Sequence, residues 1–279
     1  MKRRQIETKT PDQILKMRNA GLVVSRALSV VRDAAIEGTT TAHLDEIAEG
    51  VIRSHGARPS FAEVPGYRHS LCTSVNEEVV HGIPGGKVLQ NGDLLSVDCG
   101  AVLDGWHGDS AISMIVGGRE KASDVDVSLL DATEEALWCG IAAMRAGNNL
   151  NDIGGAIEDY LEEINISSGV EFGIIEGYTG HGIGREMHMD PDVYNYRVKG
   201  RSARLTPGVV LAIEPMVTLG CAETEVGSDD WTVSTVDKSK ACHWEHTVAL
   251  TSAGVWVLTA DDGGREKLAR LGAPYGGLD

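Results

Sequence analysis

The chain is poor in the features that would place it outside the cytoplasm. Its five cysteines, Cys72, Cys99, Cys139, Cys221 and Cys242, contain no Cys-x-x-Cys pair. Their odd number argues against a disulfide framework or a zinc module. No signal peptide opens the sequence, and no apolar run approaches the ~18 residues of a membrane span. Basic charge is scarce too: 25 Lys and Arg face 41 Asp and Glu, a formal net charge of −16, and only Met1-Lys-Arg-Arg is locally basic. A nucleic-acid reader normally carries a basic face that displaces counterions from phosphates, so direct reading of nucleic acid is not expected. These absences describe a soluble, cytoplasmic protein in a reducing compartment.

What is present is an ordinary globular composition, 42% hydrophobic over 279 residues. That length supports one large core or two fused small ones. Periodicity places helices at residues 11–32, 41–54, 128–143 and 151–164, the first with Thr10 as N-cap and Pro11 in the first turn. Strands fill most of the intervals between. Residues 117–128 join two halves but are too short for a flexible linker. In the Gly-rich, charged tail, residues 261–279, only 265–270 are expected to have helical order.

Five groups suited to divalent cations, Asp98, Asp109, His181, Glu214 and Glu245, lie in short Gly-rich or β-like segments. Singly, any of the 41 carboxylates is most often a solvated surface group. The set reads differently. Glu214 ends the apolar run 209–213 and Glu245 lies inside the β-like run 243–250, where an unpaired charge would cost several kcal/mol. Residues 93–116 form two β-rich runs about Asp104-Gly105, a dipeptide suited to a two-residue hairpin turn. That turn sets Leu103 opposite Trp106 and Gly100 opposite Asp109, with Asp98 on the same face because strand side chains alternate. Asp98 and Asp109 become diagonal neighbours roughly 7 Å apart, and paired catalytic metals typically lie about 3.5–4 Å apart. Gly100 is expected to leave the space beside Asp109 empty.

An internal echo supports two related α-then-β halves. His81-Gly-Ile-Pro is echoed by His181-Gly-Ile-Gly, Gly92-x5-Asp98 by Gly208-x5-Glu214, and Leu44-Asp-Glu-Ile by Leu150-Asn-Asp-Ile. A site between the halves draws His81, Asp98 and Asp109 from the first and His181, Glu214 and Glu245 from the second.

Six segments occur in order: Cys72-Thr-Ser-Val-Asn-Glu-Glu-Val-Val-His81-Gly-Ile-Pro, Ser96-Val-Asp98-Cys-Gly, Asp104-Gly-Trp-His-Gly-Asp109, Gly180-His181-Gly-Ile-Gly-Arg, Ile213-Glu214-Pro-Met and Trp244-Glu245-His-Thr. With their spacing, over about residues 8–260, the chain resembles type I methionine aminopeptidases of the pita-bread metallopeptidase family. The resemblance implies an α/β (α+β) pita-bread fold, two pseudo-twofold halves (about 10–117 and 128–255) around a central antiparallel sheet, in a single metallopeptidase domain over 1–279. It implies hydrolytic removal of the initiator methionine from nascent proteins with a small second residue. The cofactors would be two divalent ions (Mn²⁺, Fe²⁺ or Co²⁺) that activate a water. Expected partners are N-terminal Met peptides and nascent chains, with transient ribosome contact alongside. No cysteine precedes Cys72, so a zinc-finger ribosome anchor is absent.

By the same resemblance Asp98 is the chelating aspartate, Asp109 and Glu245 bridge, His181 is the imidazole ligand, and Glu214 is a ligand that also handles the proton of the attacking water. His81 would meet the scissile amide and His188 the carbonyl oxygen. Tyr67, Cys72 and Trp231, with Phe61 and Met187, match the methionine side-chain pocket. Met187 stands where many relatives have an aromatic residue, Met189 departs from a common Glu-x-Pro pattern, and Gly100 replaces a threonine of some relatives. Other readings are an X-Pro aminopeptidase or prolidase on the same fold, or a non-catalytic peptide-binding module. The resemblance does not assign His243. On a regular strand 243–250, alternation would put His243, Glu245 and Thr247 on one face, aiming the histidine at the cavity.

Overall fold

Thr10 opens the first helix through a capping box: its Oγ1 accepts from the Gln13 amide at 3.3 Å, and the Gln13 side chain accepts from the Thr10 amide at 2.9 Å. In the computed structural model, which describes residues 6–278, this helix, α1, spans Pro11–Ala34. The basic Met1-Lys-Arg-Arg lies outside the described residues. Helix α2 spans Thr41–Ser54, as predicted. Helix α3, Asp124–Ala143, begins earlier than residue 128 because Ser123 and Asp126 cap it reciprocally. Helix α4, Asn151–Ser168, runs past 164 and stops at Gly169, which adopts the left-handed conformation with φ of 72°. The final helix, α5, spans Arg265–Arg270, the expected segment. Among the described residues no helix is long and apolar enough to cross a membrane.

The hairpin forms in the predicted register. Leu94–Leu103 pairs antiparallel with Trp106–Ile115, with Leu103 opposite Trp106, Gly100 opposite Asp109 and Asp98 opposite Ala111. Asp104 and Gly105 take φ of 52° and 76° in the turn. Leu71–Val75 pairs along the other edge of Leu94–Leu103, with Cys72 opposite Asp98. In the second half, Gly180–Gly182, Met189–Val193, Val210–Ile213, His246–Leu250 and Val255–Val257 form a five-stranded sheet. Two three-stranded sheets complete the set, and all pairings between these strands are antiparallel. The expected central sheet is therefore divided into four. Ala111 and Glu245 join the two halves by exchanging backbone hydrogen bonds of 3.0 and 3.3 Å.

Each half buries its own helix pair. Leu44 and Ile52 of α2 and Val24 and Val31 of α1 pack with Leu95 and Val97 of the hairpin, while Leu137 and Ile141 of α3 pack with Ile153 and Ile157 of α4 and Leu211. Each such side chain contributes roughly 1.5–3 kcal/mol on burial. Helix α1 crosses the hairpin where two glycines meet: a Cβ on Gly108 would lie 2.7 Å from the Gly21 backbone nitrogen. This contact sets the depth of the strand one residue before Asp109. The tail is also packed, since Gly276 donates to the Val255 carbonyl at 2.7 Å.

Candidate functional site

The two halves meet at a cavity of about 260 Å³ whose lining includes Asp98, Asp109, His181, Glu214, Glu245 and His81, the six groups expected from the repeat. Backbone pairing places the carboxylates. Asp98 lies across from Ala111, and Ala111 is bonded to Glu245, so these residues fall in one row. Glu214 and Glu245 flank the paired residues Ile213 and His246. Asp109 is clamped through its backbone: its amide donates to Thr247 Oγ1 at 3.0 Å, and that hydroxyl donates to the Asp109 carbonyl at 2.8 Å. Ser110 Oγ donates to the Glu245 carbonyl at 2.6 Å.

His181 turns Nε2 inward, 3.9 Å from Asp109 Oδ2 and 3.5 Å from Glu214 Oε1. Its Nδ1 lies 2.9 Å from the Gly182 carbonyl, a contact that assigns the proton to Nδ1 and leaves the Nε2 lone pair for a cation. Ligand atoms of Asp109, His181 and Glu245 lie within 4.8 Å of one another. The buried oxygens Asp98 Oδ1, Asp109 Oδ1 and Glu245 Oε1 have no hydrogen-bond partner. Burial pushes the Asp98 carboxyl up to about 7 and Glu214 to about 8, and raises Asp109 and Glu245 well above the usual range. Burial lowers His181 to about 4, so its imidazole is neutral. A buried cluster of carboxylates with orphaned oxygens beside a neutral imidazole is the donor set that a hard divalent cation satisfies.

Three further histidines surround this floor. His81 has φ of 61°, a left-handed conformation, and the next residue packs tightly: a Cβ on Gly82 would lie 2.2 Å from the Thr73 carbonyl oxygen. Burial, then the charges of His243 and His188, lower His81 to about 4. His188 is exposed at the mouth, its ring 4.5 Å from that of His181. The expected regular strand over 243–250 is corrected. It breaks at Trp244 and Glu245, because Ala241–His243 pairs with Met216–Thr218 whereas His246–Leu250 pairs with Val210–Ile213. His243 nevertheless faces the site, with Nε2 3.6 Å from Glu214 Oε2. The Ser96 and Ser113 hydroxyls, 2.7 Å apart, both accept from its backbone amide.

Beside the carboxylates, in the same cavity, stands an apolar wall. Phe61, Tyr67, Cys72 and Met187 form one buried cluster with Trp231 packed against it. Tyr67 meets Trp231 edge-on at 5.0 Å between ring centroids, and its hydroxyl donates to the Leu71 carbonyl at 2.7 Å, with Cys72 Sγ 3.3 Å away. The space beside Gly100 is not empty, contrary to expectation: a Cβ there would lie 2.9 Å from Ser60 Cβ and 3.2 Å from Phe61. Gly100 thus admits Ser60 and Phe61. Ser60 Oγ in turn lies 3.0 Å from His107 Nδ1. Sequence reasoning missed the lining residues Val64, Tyr178, Thr179 and Met216. Tyr178 and Thr179 directly precede the Gly-His-Gly motif and Met216 follows Glu214-Pro, so adjacency to those motifs was the available signal.

A cavity lined by metal-type donors and by an apolar cluster, built between two α-then-β halves, defines a pita-bread metallopeptidase. Residues 15–252 match the model of metallopeptidase family M24, and the chain belongs to that family. More particularly, it is similar to methionine aminopeptidase 1 of Mycobacterium tuberculosis (strain CDC 1551 / Oshkosh), 52% identical over 92% of this chain and 96% of that protein. Methionine aminopeptidase 1 of Bacillus subtilis (strain 168) is 44% identical over 90% of this chain and 98% of its own. The crystal structure of methionine aminopeptidase from Thermotoga maritima superposes with a TM-score of 0.87 at 38% identity, covering 92% of this chain and all of that one. The prolidase of Pyrococcus furiosus shares the fold alone, at 20% identity, a TM-score of 0.71 and 65% coverage of its chain. The resemblance to type I methionine aminopeptidases and the pita-bread fold are borne out, and the X-Pro and non-catalytic readings are set aside.

Proposed function

We propose that the chain, acting throughout its length as one domain in the cytoplasm, removes the initiator methionine from nascent proteins whose second residue is small. The observation that carries this reading is the juxtaposition, in one cavity, of three partnerless buried carboxylate oxygens and the Phe61, Tyr67, Cys72, Met187 and Trp231 wall. Asp98, Asp109, His181, Glu214 and Glu245 would hold two divalent ions, Mn²⁺, Fe²⁺ or Co²⁺. When bound, such ions acidify water and polarise the scissile carbonyl.

The chain's own groups supply the rest. Glu214 accepts the proton of the attacking water. His81, kept neutral by burial, offers an imidazole N–H to the scissile amide, and His188 donates to the carbonyl oxygen. The wall packs the unbranched thioether and keeps water from it. His243, expected from the sequence on the substrate side, borders Glu214 and does not itself line the cavity. Nascent chains as substrate place the enzyme beside ribosomes, and transient contact there belongs to the same proposal.

Protein stripped of metal and reconstituted with Mn²⁺ or Co²⁺ tests this against Met-Ala-Ser and an X-Pro peptide in which X is not Met. Cleavage of Met-Ala-Ser alone, restored by metal, is expected. Preference for X-Pro, or full turnover by verified metal-free protein, would sink it.

A further inference from the structure

Trp231 reaches the cavity from the tip of a hairpin, residues 227–232, between the strands Thr224–Val226 and Val233–Thr235. Asp229 lies in that tip, exposed and outside the cavity, with its carboxylate turned back on the chain. Oδ1 accepts from the backbone amides of Trp231 at 2.9 Å and Thr232 at 2.8 Å, and Oδ2 accepts from the Thr232 hydroxyl at 2.6 Å. The Thr232 hydroxyl foremost, then these amides, hold the carboxyl below its usual range. Asp230 takes φ of 63°, a left-handed conformation that residues with a Cβ adopt at a cost. The three donors converging on Asp229 offset that cost and fix the direction in which Trp231 leaves the chain.

We propose that Asp229 is a positioning residue for methionine recognition: it sets the Trp231 ring against Tyr67 as the wall for the substrate side chain, without itself touching substrate. This rests on the reading of Trp231 as that wall. The hydrogen bonds of the Asp229 carboxylate stay within the tip, to Trp231 and Thr232, and Asp229 does not line the cavity. Val233–Thr235 pairs with Glu78–Val80, the strand leading to His81, with a register shift between Val233 and Ser234. The effect of losing Asp229 is therefore expected through Trp231, on KM and not on kcat.

The test is a double-mutant cycle on the Mn²⁺-loaded protein with Met-Ala-Ser, following KM, kcat, metal content and Tm. Asp229→Ala is expected to raise KM roughly tenfold with kcat within about twofold. Asp229→Asn, whose Oδ1 still accepts from both amides, restores most of the loss. In a Trp231→Ala background Asp229→Ala adds nothing further. If Trp231→Ala leaves KM unchanged, the wall reading fails and the proposal falls with it. If Trp231→Ala raises KM while Asp229→Ala does not, or the two effects add fully, the Asp229 proposal alone is overturned. A fall in kcat and Tm alongside the KM change would make Asp229 generally structural and overturn it equally.

Discussion

At the floor of the cavity each carboxylate stands on a strand or in the short break between two strands, whereas the apolar wall, apart from Cys72 on the strand Leu71–Val75, is assembled from loops. Asp98 and Asp109 belong to one hairpin, and Glu245 is bonded through its backbone to Ala111 of that hairpin. On the wall, Phe61 sits in a single 3₁₀ turn, Tyr67 in a loop tied by its own hydroxyl, and Trp231 on a hairpin tip closed by Asp229. Backbone ladders place groups to within a fraction of an ångström and tolerate little adjustment, while loops held by side-chain hydrogen bonds can adapt to a ligand. Damage at the floor should be all-or-none. Damage on the wall should be graded.

The largest effect expected is at the floor. Asp109→Ala or Glu245→Ala should bring activity to background and abolish stoichiometric metal binding, since each removes a carboxylate from the group that holds His181 within reach. Metal analysis of the purified variants checks this, and a variant that kept both full metal content and turnover would erase the distinction between floor and wall. His81→Ala comes next, with kcat lower by ~10²–10⁴, the range for a positioned proton-transfer group, and metal content unchanged. If metal were lost with activity, His81 would belong to the ligand set.

His81 also has a pH signature. Its folded-state value near 4 lies below the ordinary 6.5, so the unfolded chain takes up a proton that the folded chain refuses. Its contribution to stability is full above pH 6.5 and is lost as pH falls from there toward 4. The Tm of the wild type should therefore drop more between pH 7 and pH 4.5 than that of His81→Gln. Equal drops would mean the ring is not held neutral by its site.

The floor was legible in the sequence because its geometry is local. An Asp-Gly turn and strand alternation suffice to make Asp98 and Asp109 diagonal neighbours, and the register observed is the one those rules give. The collinear motifs carried the remaining candidate ligands. What stayed hidden depends on contacts distant in sequence. The break at Trp244 and Glu245 exists because its two flanks pair with different partners, and no periodicity within 243–250 signals that. The space beside Gly100 is filled by Ser60 and Phe61, from a loop some forty residues away. The early start of α3 was readable, since Ser123 and Asp126 have capping-box spacing, but the apolar period drew the boundary to 128.

On the wall, Trp231→Ala should raise KM for methionyl peptides about tenfold while leaving metal content intact, a loss of about 1.4 kcal/mol in binding. Met-Ala, Met-Gly and Met-Ser peptides should outpace Met-Lys and Met-Leu, because in the proposed role His81 and the strand edges near it would crowd the residue after methionine. Equal rates across the five would remove initiator processing as the role.

The smallest effect expected lies between the two regions, at His243. Its backbone is fixed by the Ser96 and Ser113 hydroxyls as firmly as any floor residue, yet its Nε2 lacks a hydrogen-bond partner and stands 3.6 Å from Glu214. That separation is beyond a hydrogen bond, so the imidazole borders the proposed ligand Glu214 without completing it. His243→Ala should leave metal content unchanged and shift KM or the preferred metal several-fold, as changes next to a ligand typically do, if Glu214 is one. His243→Gln, which can return a polar N–H toward Glu214, should recover part of that shift. Unaltered kinetics with Mn²⁺, Fe²⁺ and Co²⁺ alike would assign the ring to packing, and loss of a metal would move it into the floor.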